Sequence, residues 1–334
     1  METTRKGQAH FHEDSAVTIP RPGASDREPN HDQGNPVGRR VFLSGALGAT
    51  IAVAGAGCAR DPTDSAATTA MPFSGSAASS RTGSTSETSP TSASATTTAD
   101  PAEITSRTTV PVLCWHQLRE WEPSDSDYDR QLLVCPPKTF RAHLDAIVEN
   151  GWSAISPDDY LRHLATGAPL PAKPVLLTFD DSQGSQITHG LPELMRRDLK
   201  ATFFIMTVVL GNTGWMTKAD VKNLARKGMT IGGHTWDHHR VDEYSGSDWQ
   251  EQLVQPRKML ETITGKPVEH FAYPFGAWNP PALTHVAEAG YRTAFQLDDK
   301  QPSTTTPLLT LKRSLVNSTW TGSGLHDHLT KLTS

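Results

Sequence analysis

From Val110 onward, the chain alternates between short apolar runs and longer amphipathic segments. The apolar runs are rich in β-branched and aromatic residues and are bounded by polar or turn residues, which is typical of buried strands. These predicted strands cover 110–116, 174–181, 200–206, 229–234, 270–276, 291–297 and 311–316. Between and after them, apolar residues recur at helical spacing and predict helices over 137–151, 187–197, 217–228, 249–264, 280–289 and 322–332.

Local signals support these boundaries and set the fold class. Thr217 is a predicted N-cap, and Gly151 and Gly228 mark helix ends. Continuous apolar strands that alternate with helices indicate a parallel sheet covered by helices. We therefore predict an α/β fold for residues 109–334, a distorted (β/α) barrel of about seven units that is imperfectly closed, because a full barrel typically needs about 250 residues.

The segment before residue 59 has the pattern of an export signal. Arg39 and Arg40 precede an uncharged, Gly/Ala-rich run that ends at Cys58, as in a twin-arginine signal. The run is short for a membrane span, which needs about 20 apolar residues, and spanning is the second interpretation. Ala56 and Gly57 before Cys58 resemble a bacterial lipoprotein cleavage site. Residues 1–58 are thus predicted to be a signal with Cys58 as the lipidated residue; the alternative is an ordinary signal with an incidental cysteine.

A Ser/Thr/Ala/Pro-rich segment follows, and residues 59–103 contain no Leu, Ile or Val. Such a segment cannot bury enough apolar surface to offset the entropy lost on ordering. We predict a disordered tether over 59–108. With a lipid anchor, the tether would hold the folded domain at the outer face of the cytoplasmic membrane; without one, the protein would be secreted.

Charge and cysteine content narrow the classes of partner. A net charge of -5 and a pI near 6.3 do not favour nucleic-acid binding. Cys114 and Cys135 are the two cysteines in the predicted domain, and whether they pair stays open.

Carboxylate and imidazole side chains, which commonly bind metals, occur at two predicted strand ends. Asp180 and Asp181 end one strand, and His234 and His238 follow another. In parallel α/β folds, ligands gather at the carboxyl ends of strands. The spacing of the two histidines places both imidazoles on one side if the segment is a helical turn, and two imidazoles with one carboxylate are a common ligand set for a catalytic divalent metal.

Together, "TFDD" (178–181) and "HTWDH" (234–238) resemble the motifs of the polysaccharide deacetylase family, carbohydrate esterase family 4. The resemblance implies that Asp181, His234 and His238 bind the metal and that Asp180 is the general base. Zinc is the expected ion, with cobalt, nickel or iron as alternatives.

Further fragments resemble other family motifs. "FAYPFG" (271–276) is similar to a groove-forming motif, which implies roles for Tyr273 and for the backbone N–H of Phe275 as an oxyanion donor, with Trp236 beside the groove. Many members carry Arg where this chain has Ala272, and Gly where it has Ser182.

The fragment "VPVLCWH" (110–116) resembles the poly-N-acetylglucosamine deacetylase branch, where the histidine is the general acid; here it is His116, with His326 as the competitor. The expected activity is therefore metal-dependent removal of N-acetyl groups from N-acetylglucosamine in an extracellular polysaccharide. Peptidoglycan, chitin oligomers and acetylxylan are alternative substrates, and a non-catalytic glycan-binding lipoprotein is the alternative from another class.

Overall fold

The structure is a computed structural model that describes residues 99–297 and 300–333. Its strands are β1 (Val112–Trp115), β2 (Ser153–Ala154), β3 (Pro174–Phe179), β4 (Thr202–Ile205), β5 (Thr230–Gly233), β6 (His270–Ala272), β7 (Thr293–Phe295) and β8 (Ser314–Leu315). Its α-helices are α1 (Pro101–Ser106), α2 (Pro137–Glu149), α3 (Pro157–Thr166), α4 (Leu191–Arg196), α5 (Lys218–Arg226), α6 (Gln255–Thr264), α7 (Pro280–Glu288) and α8 (Gly322–Leu332).

The predicted export signal, with Arg39, Arg40 and Cys58, lies outside the described residues, as does the predicted tether up to residue 98. Among the described helices, none combines the length and the apolar character that a membrane crossing requires.

The strands form one parallel sheet in the order β7-β6-β5-β4-β3-β1-β8, and β2 pairs with β3. The segment from Leu311 to Leu315 links the two edges, because Leu311 bridges to Phe295 at the end of β7 while Ser314 pairs with Leu113 of β1. The predicted distorted barrel of about seven units is confirmed.

Alternating side chains divide the core into two layers. Leu177 and Phe179 of β3 pack in the layer between sheet and helices, where Phe140 of α2 also lies. Leu176 points the other way, into a cluster that includes Phe204 of β4. Because both faces of the strands are buried, the sequence shows continuous apolar runs instead of alternation.

The helix predictions hold, with a modification at two starts. Thr217 caps α5 through a capping box with Asp220. The predicted helices 187–197 and 249–264 each begin with a π-helical turn, Gln186–Gly190 and Trp249–Val254. A proline near the start of α4 and of α6 lacks the N–H that an interior helical bond requires, and this favours a wider turn before it.

Helix α1 lies where the composition predicted a tether. Asp100 caps it, Pro101 begins it, and Ile104 is buried with 5% exposure in the same cluster as Leu176. The ordered domain therefore begins before residue 109. Ile104 is the first aliphatic β-branched residue after the Ser/Thr-rich segment. Hydrogen bonds to the end of α3 also attach this short helix, since Ala99 donates its N–H to the C=O of Ala165 and Arg107 donates to the C=O of Leu164, both at 2.9 Å.

Replacing Ile104 with Ala is expected to lower the free energy of unfolding by about 2–4 kcal/mol, since the side chain is buried and leaves a cavity. Val148→Ala is the control, because Val148 is 45% exposed and its truncation should change stability by less than about 0.5 kcal/mol. Urea denaturation of both variants measures the difference. Equal stabilities would show that α1 does not contribute to the domain.

Candidate metal centre

The two aspartates that follow β3 have different environments. The alternation along β3 directs Thr178 and Asp180 away from the layer of Phe179, and Asp180 is buried with 2% exposure. Asp181 follows the strand end with φ of 74°, and its side chain is 20% exposed. Ser182, with φ of 66°, holds this turn against β4, because its hydroxyl accepts from the N–H of Met206 and donates to the C=O of Met206.

His234 emerges from β5 at a point where the backbone packs tightly. A Cβ atom on Gly232 would collide with Phe204, and one on Gly233 would collide with Tyr291. These two glycines therefore let β5 pass between aromatic neighbours and deliver His234 to the end of the barrel.

The segment from His234 to His238 does not form the helical turn in which the spacing would place both imidazoles on one side. It is a loop in which Thr235 and His238 have φ of 64° and 67°. Five of the seven non-glycine residues with positive φ in the described chain lie in the predicted motifs or directly after one: Asp181, Ser182, Thr235, His238 and Phe275. Such backbone conformations cost about 1–3 kcal/mol each and cluster at functional sites.

The loop brings both imidazoles to one carboxylate oxygen. The Nε2 atoms of His234 and His238 each lie 3.3 Å from Oδ1 of Asp181. The two rings meet edge-on with centroids 4.9 Å apart. His239 points outward instead, with its Nδ1 atom 2.7 Å from the carboxylate of Asp237. The structure thus brings together the three predicted ligands and leaves His239 out.

The protonation of His234 indicates what these atoms can bind. Its Nδ1 lies 2.8 Å from the backbone C=O of Ala272, and because a carbonyl only accepts, Nδ1 carries the proton. In the neutral ring, Nε2 then presents a lone pair to Asp181. The facing Oδ1 atom is buried and has no hydrogen-bond partner among the described residues. The Nε2 atoms of His234 and His238 and the Oδ1 atom of Asp181 converge as two imidazoles and one carboxylate, which is a common ligand set, so these residues fit a divalent metal.

Arg313 is the functional residue that the sequence analysis missed. Its guanidinium donates to both carboxylate oxygens of Asp180 at 2.7 Å, and its side chain is 1% exposed. It also lies 5.3 Å from the ring centroid of Phe204. Burial alone would raise the pKa of Asp180, but the charge and hydrogen bonds of Arg313 together with the nearby His234 and His116 outweigh burial, and the pKa lies below its ordinary value.

The arginine that orients Asp180 therefore lies directly before β8, the strand next to β1, and not at position 272. The available signal was the pair of charged residues Lys312 and Arg313 inside the predicted strand "LKRSLV" (311–316). Neighbouring side chains of a strand point to opposite faces, so one of the two charges points inward and needs a partner.

His116 lies beside this pair at the end of β1. Gln186 donates to the backbone C=O of His116 at 2.8 Å and to that of Asp180 at 2.5 Å, so one amide ties the two strand ends together. Donor atoms of Cys114, His116 and Asp180 all lie within 4.8 Å of one another. Burial lowers the pKa of His116, and the carboxylates of Asp181 and Asp180 oppose that effect only in part.

The competing histidine and the cysteines lie elsewhere. His326 is on α8, where its Nδ1 accepts from the indole N–H of Trp152 at 3.3 Å. Cys114 and Cys135 are both free and buried, so the disulfide left open by the sequence is not formed.

The three predicted groove residues differ in accessibility. Phe275 is 43% exposed, has φ of 57°, and packs edge-on against the ring of His238 at 4.7 Å. Trp236 is partly exposed. Tyr273 is only 1% exposed, and its hydroxyl donates to the C=O of Leu309. The ring of Tyr273 thus points into the core beside Phe271 and is not exposed at the groove.

Comparisons with known proteins agree with this geometry. Residues 167–294 match the family model described as Polysaccharide deacetylase. This range includes Asp180, Asp181, His234 and His238 but neither His116 nor Arg313.

Three similar proteins illustrate the extent of the likeness. YxkH of Bacillus subtilis is 24% identical over 214 residues, which are 64% of this chain and 74% of YxkH. The peptidoglycan-N-acetylglucosamine deacetylase PgdA of Listeria monocytogenes is 28% identical over 170 residues, which are 48% of this chain and only 36% of PgdA.

The Streptococcus pyogenes deacetylase PplD, solved in complex with acetate, shares the fold with a TM-score of 0.61 at 23% identity, over 66% of this chain and 97% of PplD. Residues 167–294, whose two motifs converge at one end of the barrel, are thus similar to the polysaccharide deacetylase family.

Proposed function

We propose that this protein is a metal-dependent hydrolase that removes N-acetyl groups from N-acetylglucosamine residues of an extracellular polysaccharide of the poly-N-acetylglucosamine type. The observation that carries the proposal is the convergence of His234 and His238 on the unpartnered Oδ1 atom of Asp181. Asp180 and His116 beside them supply a base and an acid for amide hydrolysis.

Asp181, His234 and His238 would hold the divalent cation, and zinc suits this mixed ligation. When bound, such an ion polarises a carbonyl oxygen and lowers the pKa of water. The remaining steps belong to side chains of this chain.

Asp180 is held by Arg313 in one orientation and accepts a proton from the attacking water, whose oxygen bonds to the acetyl carbon. The backbone N–H of Phe275 is the proposed donor to the oxyanion. As the C–N bond breaks, His116 donates a proton to the departing amine, and acetate is released.

The N-terminal region supports a role outside the cytoplasm. We retain the twin-arginine signal over 1–58, lipidation of Cys58 and the tether as parts of this proposal, on the sequence pattern alone. Such an anchor would attach the domain to the outer face of the cytoplasmic membrane, and mass spectrometry of the mature N-terminus tests it.

Acetate release by the purified, metal-loaded protein tests the activity. Poly-N-acetylglucosamine, peptidoglycan, chitin oligomers and acetylxylan are compared at equal acetyl content, with release from poly-N-acetylglucosamine expected to be fastest. Peptidoglycan is the second candidate, since the relative PgdA is named for that substrate. Glycan binding without acetate release from any of the four would support the binding-protein alternative instead.

Replacing His116 with Ala tests the general acid. We expect the rate of N-acetyl hydrolysis to fall by about 10²–10⁴-fold, because an amine must be protonated as it leaves. Hydrolysis of p-nitrophenyl acetate should fall far less, because nitrophenolate leaves without a proton. The ratio of the two rates is the measurement.

His326→Ala is the matched control and should leave both rates unchanged, since His326 contacts Trp152 on the helix layer. A selective loss of amide hydrolysis in His326→Ala, and none in His116→Ala, would reassign the acid.

A further inference from the structure

The connection between β1 and α2 is a closed loop that begins next to the candidate site. Gln117 follows His116 directly, and its N–H donates to the C=O of Leu133 at 2.8 Å. The N–H of Cys135 returns a bond to the C=O of Gln117 at 2.9 Å. The two ends of the loop between Gln117 and Cys135 are therefore hydrogen-bonded to each other next to His116, the proposed general acid.

The interior of this loop is ordered by an ion pair. Arg119 donates to both carboxylate oxygens of Asp125 at 2.7 and 2.9 Å, and the side chain of Asp125 is only 7% exposed. Asp125 also accepts from the N–H of Glu122 at 2.6 Å. This partner set lowers the pKa of Asp125 to about 2, so the pair stays charged at any pH of interest. The loop thus has a preformed shape.

The outer side of the loop docks near the end of β8. Ser318 donates its N–H to the C=O of Gln131 at 2.7 Å and its hydroxyl to the C=O of Arg130. Because Ser318 follows β8 and Gln117 follows β1, the loop lies at the carboxyl ends of two neighbouring strands. This is the end of the barrel at which the metal-type residues gather.

The exposed aromatic side chains of the described chain are concentrated at this end. Three aromatic residues are among its large exposed apolar side chains: Trp121 at 43%, Tyr128 at 44% and Phe275 at 43%. Trp121 and Tyr128 belong to the loop after β1, and Phe275 follows β6. The exposed aliphatic residues lie on helices instead, at Val148, Met195, Met259 and Leu332.

Trp121 is also held in place. Its indole N–H donates to the C=O of Val134 at 3.0 Å, and Val134 pairs with Gln117, the neighbour of His116. A rigid aromatic face loses little entropy on binding, and exposing it to water is unfavourable unless a partner covers it. The apolar face of a pyranose ring is a partner of matching size and chemistry.

The geometry assigns to Trp121 the binding of a pyranose ring of the glycan chain, one or more units away from the acetamide that is hydrolysed. This inference rests on the proposed function and adds a residue that determines the preference for chain length. An oligomer long enough to reach Trp121 gains its contact, and a shorter one does not.

The test compares N-acetylglucosamine oligomers of two to six units as substrates of the full-length, metal-loaded protein. Trp121→Ala should raise KM for the hexamer about three- to tenfold, the range of an aromatic contact worth up to about 1.5 kcal/mol. The KM for the dimer should change by less than about twofold. Isothermal titration of the chelated protein with the same oligomers gives affinities without hydrolysis.

Two variants separate stacking from a structural role. Trp121→Phe keeps an aromatic face but loses the N–H bond to Val134, and it should bind the hexamer nearly as tightly as the wild type. Met195→Ala removes an exposed side chain of α4 and should leave all KM values unchanged.

The outcomes distinguish the two proposals. Acetate release by the wild type with equal length dependence in Trp121→Ala would overturn the assignment of Trp121 and leave the proposed function standing. The same holds if Trp121→Phe behaves like Trp121→Ala. If the wild type releases no acetate from any oligomer and binds none, the proposed function itself fails.

Discussion

Replacing Asp181 with Asn is expected to abolish specific binding of one divalent metal and to lower acetate release by roughly a thousandfold or more, the equivalent of several kcal/mol of transition-state stabilisation. The amide keeps the size of the side chain but removes the negative charge at the atom on which both imidazoles converge at 3.3 Å. The amide also presents no strong anionic ligand to a cation. Elemental analysis of the purified protein and isothermal titration with zinc measure the loss directly.

A second readout does not depend on activity. Because a ligand that binds only the folded state stabilises it, chelation should lower the midpoint of thermal unfolding of the wild type and leave that of Asp181→Asn unchanged. His239→Ala is the matched control, since His239 is adjacent to His238 but points toward Asp237 and is 53% exposed. Retention of one tightly bound metal by Asp181→Asn would show that these three residues are not the binding site.

Replacing Arg313 with Met should destabilise the fold by about 3–5 kcal/mol, because the change leaves the buried carboxylate of Asp180 without its ionic partner. Acetate release should also fall by about a hundredfold or more, since the proposed base loses both its orientation and its charge balance. Denaturant unfolding and initial rates measure the two effects. Arg196→Met is the control: the Arg196 side chain is 59% exposed, so its ion pair with Glu193 should contribute less than about 1 kcal/mol.

The dependence on pH separates this effect from a general loss of packing. In the wild type, the pKa of Asp180 is depressed, so its ion pair stabilises the fold at neutral pH and is lost as the pH falls through that value. In Arg313→Met, burial raises the pKa of Asp180, and the variant should regain stability as the pH falls through the raised value.

The raised pKa of Asp180 in Arg313→Met should also move the acidic limb of the pH–rate profile of this variant to higher pH. The double variant Arg313→Met/Asp180→Asn should recover much of the lost stability, because no buried charge remains. A double variant as unstable as Arg313→Met would instead attribute the defect to packing.

Local chemistry made much of the architecture predictable from the residues. Strands buried on both faces show as apolar runs, and the caps at Thr217 and Gly151 depend on neighbours within one helical turn. The strand-end aspartates and the two histidines were identifiable because their residue types match a metal site and their motifs resemble those of a known family. These are properties of short segments, which the sequence displays directly.

Other features depend on contacts between distant segments. Arg313 meets Asp180 across 133 positions of the chain, and only the order of β3, β1 and β8 makes them neighbours. His238 reaches Asp181 through a left-handed backbone that its sequence spacing would instead have placed in a helix.

The order of a short segment can likewise depend on what it packs against. Tyr273 turned inward because the core beside Phe271 accommodates its ring, and α1 is ordered because Ile104 is buried in the cluster of Leu176.

The strands, the helix caps and the candidate metal ligands could therefore be predicted from the sequence, because each depends on residue types and interactions within a short segment. The orienting arginine, the shape of the histidine loop and the start of the ordered domain were set by the folded barrel. A buried charge without a partner costs free energy, so each buried charge needs one. Only the packing of strands that are distant in sequence decides which residue is that partner.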